Sequence, residues 1–249
     1  MMKTDFSDQV TAITQAFVGG VTAVLDAKLY GIYMYGATVF PDAGPIQDID
    51  CHVILNERLS VNERAALLKL HQDLAVRYPP LGGEIDAYFV LLDAAKGFSS
   101  PQHQLDMKIF DSSWALHCAH VRAGRYVTLW GPDPLEVFPT PSWADVALAL
   151  EGELDYVRSH LCYPAYCILN LCRIVYSHSE KNPVVSKNFS GLWASERFPQ
   201  WNSLIEAAIR FYSKEHSEED VRLLGEQLND FLVFVEEYLG RIREDDTPN

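Results

Sequence analysis

The chain has 249 residues, 48% of them hydrophobic, and carries 20 Lys and Arg against 34 Asp and Glu, a net charge of −14. That length buries one large core or two modest ones. The acidic balance argues against a nucleic-acid partner, which needs a positive surface against phosphate, and suits a small cationic ligand attracted at long range. Five cysteines, Cys51, Cys118, Cys162, Cys167 and Cys172, form no C-x-x-C pair and leave an odd count. They predict no disulfide framework and a cytoplasmic compartment. The first residues, MMKTDFSDQVTAITQAF, place acids where a signal peptide needs an apolar core. No stretch reads as the roughly 20 apolar residues of a membrane span, so no membrane partner is expected.

In chain order, residues 6–27 predict an amphipathic helix with Phe6, Val10, Ile13, Phe17, Val21, Val24 and Leu25 on one stripe. Leu29–Tyr35 and Asp48–Leu55 predict strands. Ser60 opens a helix with Glu63 placed for a capping box, and Pro79-Pro80 stops it. Glu84–Leu92 predicts a third strand, a helix is expected near 113–122, and Tyr126–Trp130 predicts a fourth strand. Pro and Gly punctuation from Gly131 to Pro141 marks a linker, which sets a first domain at 1–140 and a second at 141–249. The first suits a small mixed sheet with flanking helices. Beyond it only helical patterns follow: one capped by Ser142, then others near 163–178, 188–198, 201–213 and 217–243, the last with Val221, Leu224, Leu228, Leu232 and Val235 near helical spacing. The fold class is therefore α+β, with an all-α bundle as its second domain. The tail Glu244–Asn249 is expected to fray.

The richest segment is YGATVFPDAGPIQDIDCHVIL, Tyr35–Leu55: a strand ending in a glycine turn, a loop, and a strand opening with two acids. Side chains alternate along a strand, so Asp48 and Asp50 point the same way, about 7 Å apart. Two carboxylates side by side repel unless a cation lies between them. Magnesium answers that need, since it prefers carboxylate oxygens and brings a phosphate substrate with it. A lone D-x-D is otherwise a turn-former facing water. A further strand, EIDAYFVLL, offers a third carboxylate from the same period-two rule. Asp86 directly precedes the apolar run, as Asp50 does, and is the preferred choice; Glu84 is the alternative.

The order of these segments resembles the polymerase-β-type nucleotidyltransferase signature, a glycine turn followed by D-h-D with h apolar. The whole layout is similar to the streptomycin and spectinomycin adenylyltransferases. The resemblance runs through YGATVF and PIQDID, EIDAYFV, VTLWGPDPLEVF, and NLCRIVYSHSEKNPVVSKNFSGLWASERFP, from about Tyr30 to Pro199. It implies that Asp48 and Asp50 hold magnesium bound to ATP, and that Asp86 takes the proton from an attacking hydroxyl. It also implies that Gly36 and Ala37 approach the phosphates through the backbone, while Arg173 and Lys187 reach them from the helical domain. AMP would pass to a hydroxyl of a small cationic acceptor, an aminoglycoside in the antibiotic-resistance enzymes. The same chemistry on another metabolite or a protein hydroxyl is one alternative, and a catalytically silent nucleotide-binding regulator is the other. Two positions depart from the pattern. Ala37 stands where a serine is usual, leaving Thr38 as a neighbouring hydroxyl, and Ser159–Pro164 lacks the acid of streptomycin-binding members.

Other residues carry chemistry of their own. Arg173 lies on an apolar helix, NLCRIVY, where a guanidinium needs an anion or a carboxylate partner. His117 and His120 sit three apart, with His103 upstream, a spacing zinc can use but with no evident fourth ligand. Tyr30, Tyr33 and Tyr35 suit either an adenine stack or strand packing, and Trp114, Trp130 and Trp193 suit the core.

Overall fold

The computed structural model describes residues 6–42 and 45–245. Contacts divide the chain into two units, one of Met1–Pro41 with Ile46–Pro141, the other of Asp42–Pro45 with Ser142–Asn249.

The first unit holds a four-stranded mixed sheet, β1 (Leu29–Tyr35), β2 (Ile49–Leu55), β3 (Ile85–Leu91) and β4 (Val127–Trp130), in the order β3-β2-β1-β4. β1 pairs antiparallel with β2 and β4, while β2 and β3 run parallel. A parallel pair needs a crossover, and α2 (Val61–Arg77) supplies it. Its start is the expected capping box, with Ser60 accepting from the Glu63 N–H and Glu63 accepting from the Ser60 N–H.

Alternation along the strands splits the sheet into two faces. Ile32, Met34, Ile49, Cys51, Val53, Ala87 and Phe89 pack with α1 (Asp8–Leu25) and with Leu67 and Leu74 of α2. Val10, Ile13, Phe17, Val21 and Leu25 are buried there, as the helical stripe predicts. By length and composition alone Asp8–Lys28 could cross a membrane, a test that the core helix of a soluble protein also passes. Tyr33, Ile54 and Val90 line the other face with Trp114, Cys118 and Val121 of α4 (Trp114–Arg122) and with Phe138. A short helix, α3 (Leu92–Ala95), follows β3, and the Ala95 carbonyl accepts from the Trp114 indole N–H at 3.2 Å. Trp130, expected in the core, is 37% exposed because it ends an edge strand.

The second unit is helical: α5 (Trp143–Ser159), α6 (Pro164–Glu180), α7 (Lys187–Arg197), α8 (Asn202–Tyr212) and α9 (Glu218–Asp245). α6 is buried along most of its length, because Cys167, Ile168, Leu169, Leu171, Cys172, Ile174 and Val175 leave it few polar faces. α9 turns inward with Leu224, Leu228, Phe231, Val235 and Leu239, while Val221 is 47% exposed. The stripe therefore runs one step differently from the sequence reading, with Phe231 in place of Leu232. The segment Asp42–Pro45 joins this unit through Asp42, which accepts from the Ser186 hydroxyl at 2.6 Å and whose carbonyl accepts from the Asn188 amide at 3.0 Å. Of the five cysteines, only Cys162 is exposed. Residues 246–249 of the expected frayed tail lie outside the described residues.

Candidate active site

The acids gather at the N-terminal ends of β2 and β3. In-register pairing sets Asp50 opposite Asp86 and Tyr35 opposite Asp50, so three neighbouring strands present one row of polar side chains. Asp48 directly precedes β2 and is exposed; Asp50 is half-buried. Glu84 does not share the row. It sits in the turn before β3, at φ −105° and ψ 30°, so strand alternation does not reach it.

Gly36 follows β1 with φ +70°, a conformation glycine adopts without penalty. A Cβ there would overlap the Asp50 carboxyl group. The missing side chain is the space into which Asp50 points. The Thr38 hydroxyl is buried and donates to the Tyr35 carbonyl at 2.7 Å, so its proton is committed to holding the turn.

Three acids act on Tyr35. Burial raises its phenol far above the ordinary value, and the charges of Asp50, Asp111 and Asp86 add to that. The Asp86 carboxyl is itself raised, first by desolvation, with Asp48 and Asp111 pushing the same way and His103 and His117 opposing. Solvent still reaches Asp86. A raised carboxyl open to solvent is the form a general base takes.

Part of this surround carries no clear signal in the sequence. Asp111 lies 3.0 Å from His117 Nδ1 and accepts from the Ser113 N–H. Burial pushes the Asp111 carboxyl up, but His117 and the Ser113 N–H outweigh it and hold it below the usual range. His52 is fully buried, stacked on Tyr35 at 3.8 Å and tilted against His117 at 4.9 Å. Its burial, with His117 adding, lowers its pKa well below the ordinary value and keeps it neutral. His52 was legible, being two residues beyond Asp50 on the same face. Asp111 was not, because it stands in a loop with no periodic pattern.

Among the described residues, no group of three or more His, Cys, Asp or Glu could hold a metal alone. His103, His117 and His120 therefore form no zinc site. His120 instead sets its ring against Phe40. A magnesium site asks for less, since that ion takes one or two carboxylates and fills its shell with water and substrate phosphate. Asp48 and Asp50 fit that requirement, with the Gly36 turn leaving room for the Asp50 carboxyl.

In the helical unit, Arg173 of α6 is half-buried and makes no hydrogen bond or ion pair among the described residues. Its charge reaches Tyr166, whose phenol is nonetheless raised by burial and by Glu153. Lys187 is the first residue of α7, with its Nζ 4.3 Å from the Tyr166 ring centre and 5.4 Å from that of Tyr212.

The chain therefore joins a small mixed sheet, with acids at adjacent strand starts, to a helical bundle. Residues 136–237 match the family model of the aminoglycoside adenylyltransferase C-terminal domain. The fold is also that of spectinomycin adenyltransferase AAD(9) from Enterococcus faecialis, solved with ATP and spectinomycin. That structure is 16% identical, covers 91% of this chain and 99% of its own, and has a TM-score of 0.77. No curated protein matches the chain. Residues 136–237 thus resemble the C-terminal domain of the aminoglycoside adenylyltransferases, and the fold of the chain is that of the spectinomycin adenyltransferase.

Proposed function

We propose that the protein is a magnesium-dependent nucleotidyltransferase that moves AMP from ATP to a hydroxyl of a small cationic acceptor, most plainly an aminoglycoside-type antibiotic. The in-register pair Asp50 and Asp86 carries this reading, because two carboxylates side by side on one face suit a metal ligand beside a base. The family match and the neighbour solved with ATP and spectinomycin support it.

Asp48 and Asp50 would hold magnesium, which would neutralise charge on the phosphates when bound. Asp86 accepts the proton as the acceptor oxygen attacks the α-phosphorus of ATP. The bond from that phosphorus to pyrophosphate breaks, leaving an AMP ester and free pyrophosphate. The backbone at Gly36 and Ala37 approaches the phosphates. Arg173 and Lys187 hold the β- and γ-phosphates through charge-assisted contacts of about 1.5–3 kcal/mol each. An Arg173 with no carboxylate partner among the described residues supports that assignment. The net charge of −14 suits a cationic acceptor, and the reaction takes place in the cytoplasm.

A second reading keeps the chemistry and changes the acceptor. Ser159–Pro164 carries no carboxylate, and the exposed Tyr156 stacks on His160 at 3.8 Å beside the exposed Tyr163. That surface favours an acceptor with a flat face over a polycation. Incubation with ATP, magnesium and a panel of acceptors, followed by mass spectrometry for an added AMP, separates the two. A silent nucleotide-binding regulator would bind ATP and modify nothing in the panel.

A further inference from the structure

β3 is an edge strand, so the carbonyls of its outer side need donors from elsewhere. The loop after α3 provides them. The Gln104 N–H donates to the Phe89 carbonyl at 2.8 Å, and His103 Nε2 lies 3.2 Å from the Ala87 carbonyl. Ala87 directly follows Asp86.

The His103 tautomer is set by its other nitrogen. Nδ1 accepts from two backbone N–H groups, Leu105 at 3.0 Å and Asp106 at 2.8 Å, and so carries no proton. The proton therefore sits on Nε2, and His103 donates to Ala87. The ring is buried, with its edge against Tyr88 at 4.5 Å. One further bond, from the His103 N–H to the Ile109 carbonyl at 2.9 Å, closes the loop on itself. His103 thus joins a self-braced loop to the peptide next to Asp86, on the side where no strand pairs.

We propose that His103 is a positioning residue for Asp86, clamping the outer edge of β3 so that the carboxyl keeps its place beside Asp50. This rests on the reading of Asp86 as the base in nucleotidyl transfer. A base displaced by about 1 Å loses on the order of 100-fold in rate, so a clamp one residue away has a measurable effect on turnover.

Two variants separate the clamp from the loop. His103→Asn keeps an acceptor near the place of Nδ1 and so keeps the 105–106 turn, but it does not reach Ala87. His103→Gln places an amide donor near the position of Nε2 and gives up the turn acceptor. Turnover is expected to follow the Ala87 contact: kcat falls roughly 10- to 100-fold in the Asn variant and much less in the Gln variant, with KM for ATP within about twofold in both. Amide exchange at Leu105 and Asp106 is expected to run the other way, protected in the Asn variant and open in the Gln variant. In an Asp86→Asn background, His103→Asn is expected to cost nothing more, since the group it positions is gone. Turnover that tracks loop protection, or a full second loss in that background, would overturn the proposal. Failure of the transfer reading shows differently, as wild-type protein that adenylylates no acceptor. The clamp is then read from the Asp86 carboxyl carbon-13 shift, which should move in the Asn variant and stay in the Gln variant; no movement in either overturns it.

Discussion

Asp50 and Asp86 are directly opposed Cα partners on two parallel strands, and Tyr35 is the partner of Asp50 on its other side. Each pairing is a consequence of backbone register, which fixes the spacing of the acids. A one-residue slip of β3 would turn Asp86 to the opposite face.

Asp86→Asn tests the base. Turnover should collapse by 100-fold or more, roughly the range of general-base contributions, while ATP affinity measured by calorimetry stays near wild type. Stability should move the other way. The folded carboxyl titrates above its ordinary value, so its ionisation costs stability as pH rises from the unfolded pKa through the folded one. At neutral pH the variant should melt at or above the wild-type temperature. For the same reason, the acid limb of kcat/KM should lie above the ordinary aspartate range, where a falling pH protonates the base. A limb at or below that range would remove Asp86 from the role.

Gly36→Ala tests the turn. The φ of +70° costs an L-residue about 1–2 kcal/mol, and the added methyl meets the Asp50 carboxyl. Magnesium-dependent ATP binding should weaken at least tenfold, as the stability loss alone would not require. Binding that is unchanged would mean that Asp50 does not hold the ion.

Arg173→Met tests the helical unit. With no ion pair among the described residues to lose, the variant should fold as well as wild type, yet KM for ATP should rise roughly 10- to 100-fold. A variant that unfolds while its ATP affinity holds would point to a structural guanidinium.

Glu63 makes a separate prediction about acid stability. The Ser60 N–H and hydroxyl, followed by Lys28, lower its pKa to about 2, and the Lys28 Nζ lies 3.0 Å away. The stability it gives is present above the ordinary glutamate pKa and is lost as pH falls through about 2. Glu63→Gln should therefore flatten the fall in stability over that window, followed by urea unfolding at stepped pH. An unchanged slope would show the contact to be too solvated to matter.

Much of this was legible in the chain because local rules and tertiary packing agree. Ser60 and Glu63 form the capping box they spell, and Leu29–Tyr35 is a strand with the bounds its pattern implies. Asp86 directly precedes the apolar run, and Glu84 stands in a turn where alternation fails. The remainder needed three dimensions. Trp130 reads as core until β4 proves to be an edge, and the inward face of α9 is chosen by aromatic packing around Phe231. Asp111 and His103 lie in a loop without periodicity, and only the unpaired side of β3 explains where His103 goes.

The most direct measurement is mass spectrometry of spectinomycin and streptomycin after incubation with the protein, ATP and magnesium, with Asp86→Asn and a chelated sample alongside. The expected result is an added AMP on at least one acceptor with the wild-type protein and none in either control. An equal yield from Asp86→Asn, or no adduct on any acceptor despite bound ATP, would contradict a catalyst built on Asp50 and Asp86.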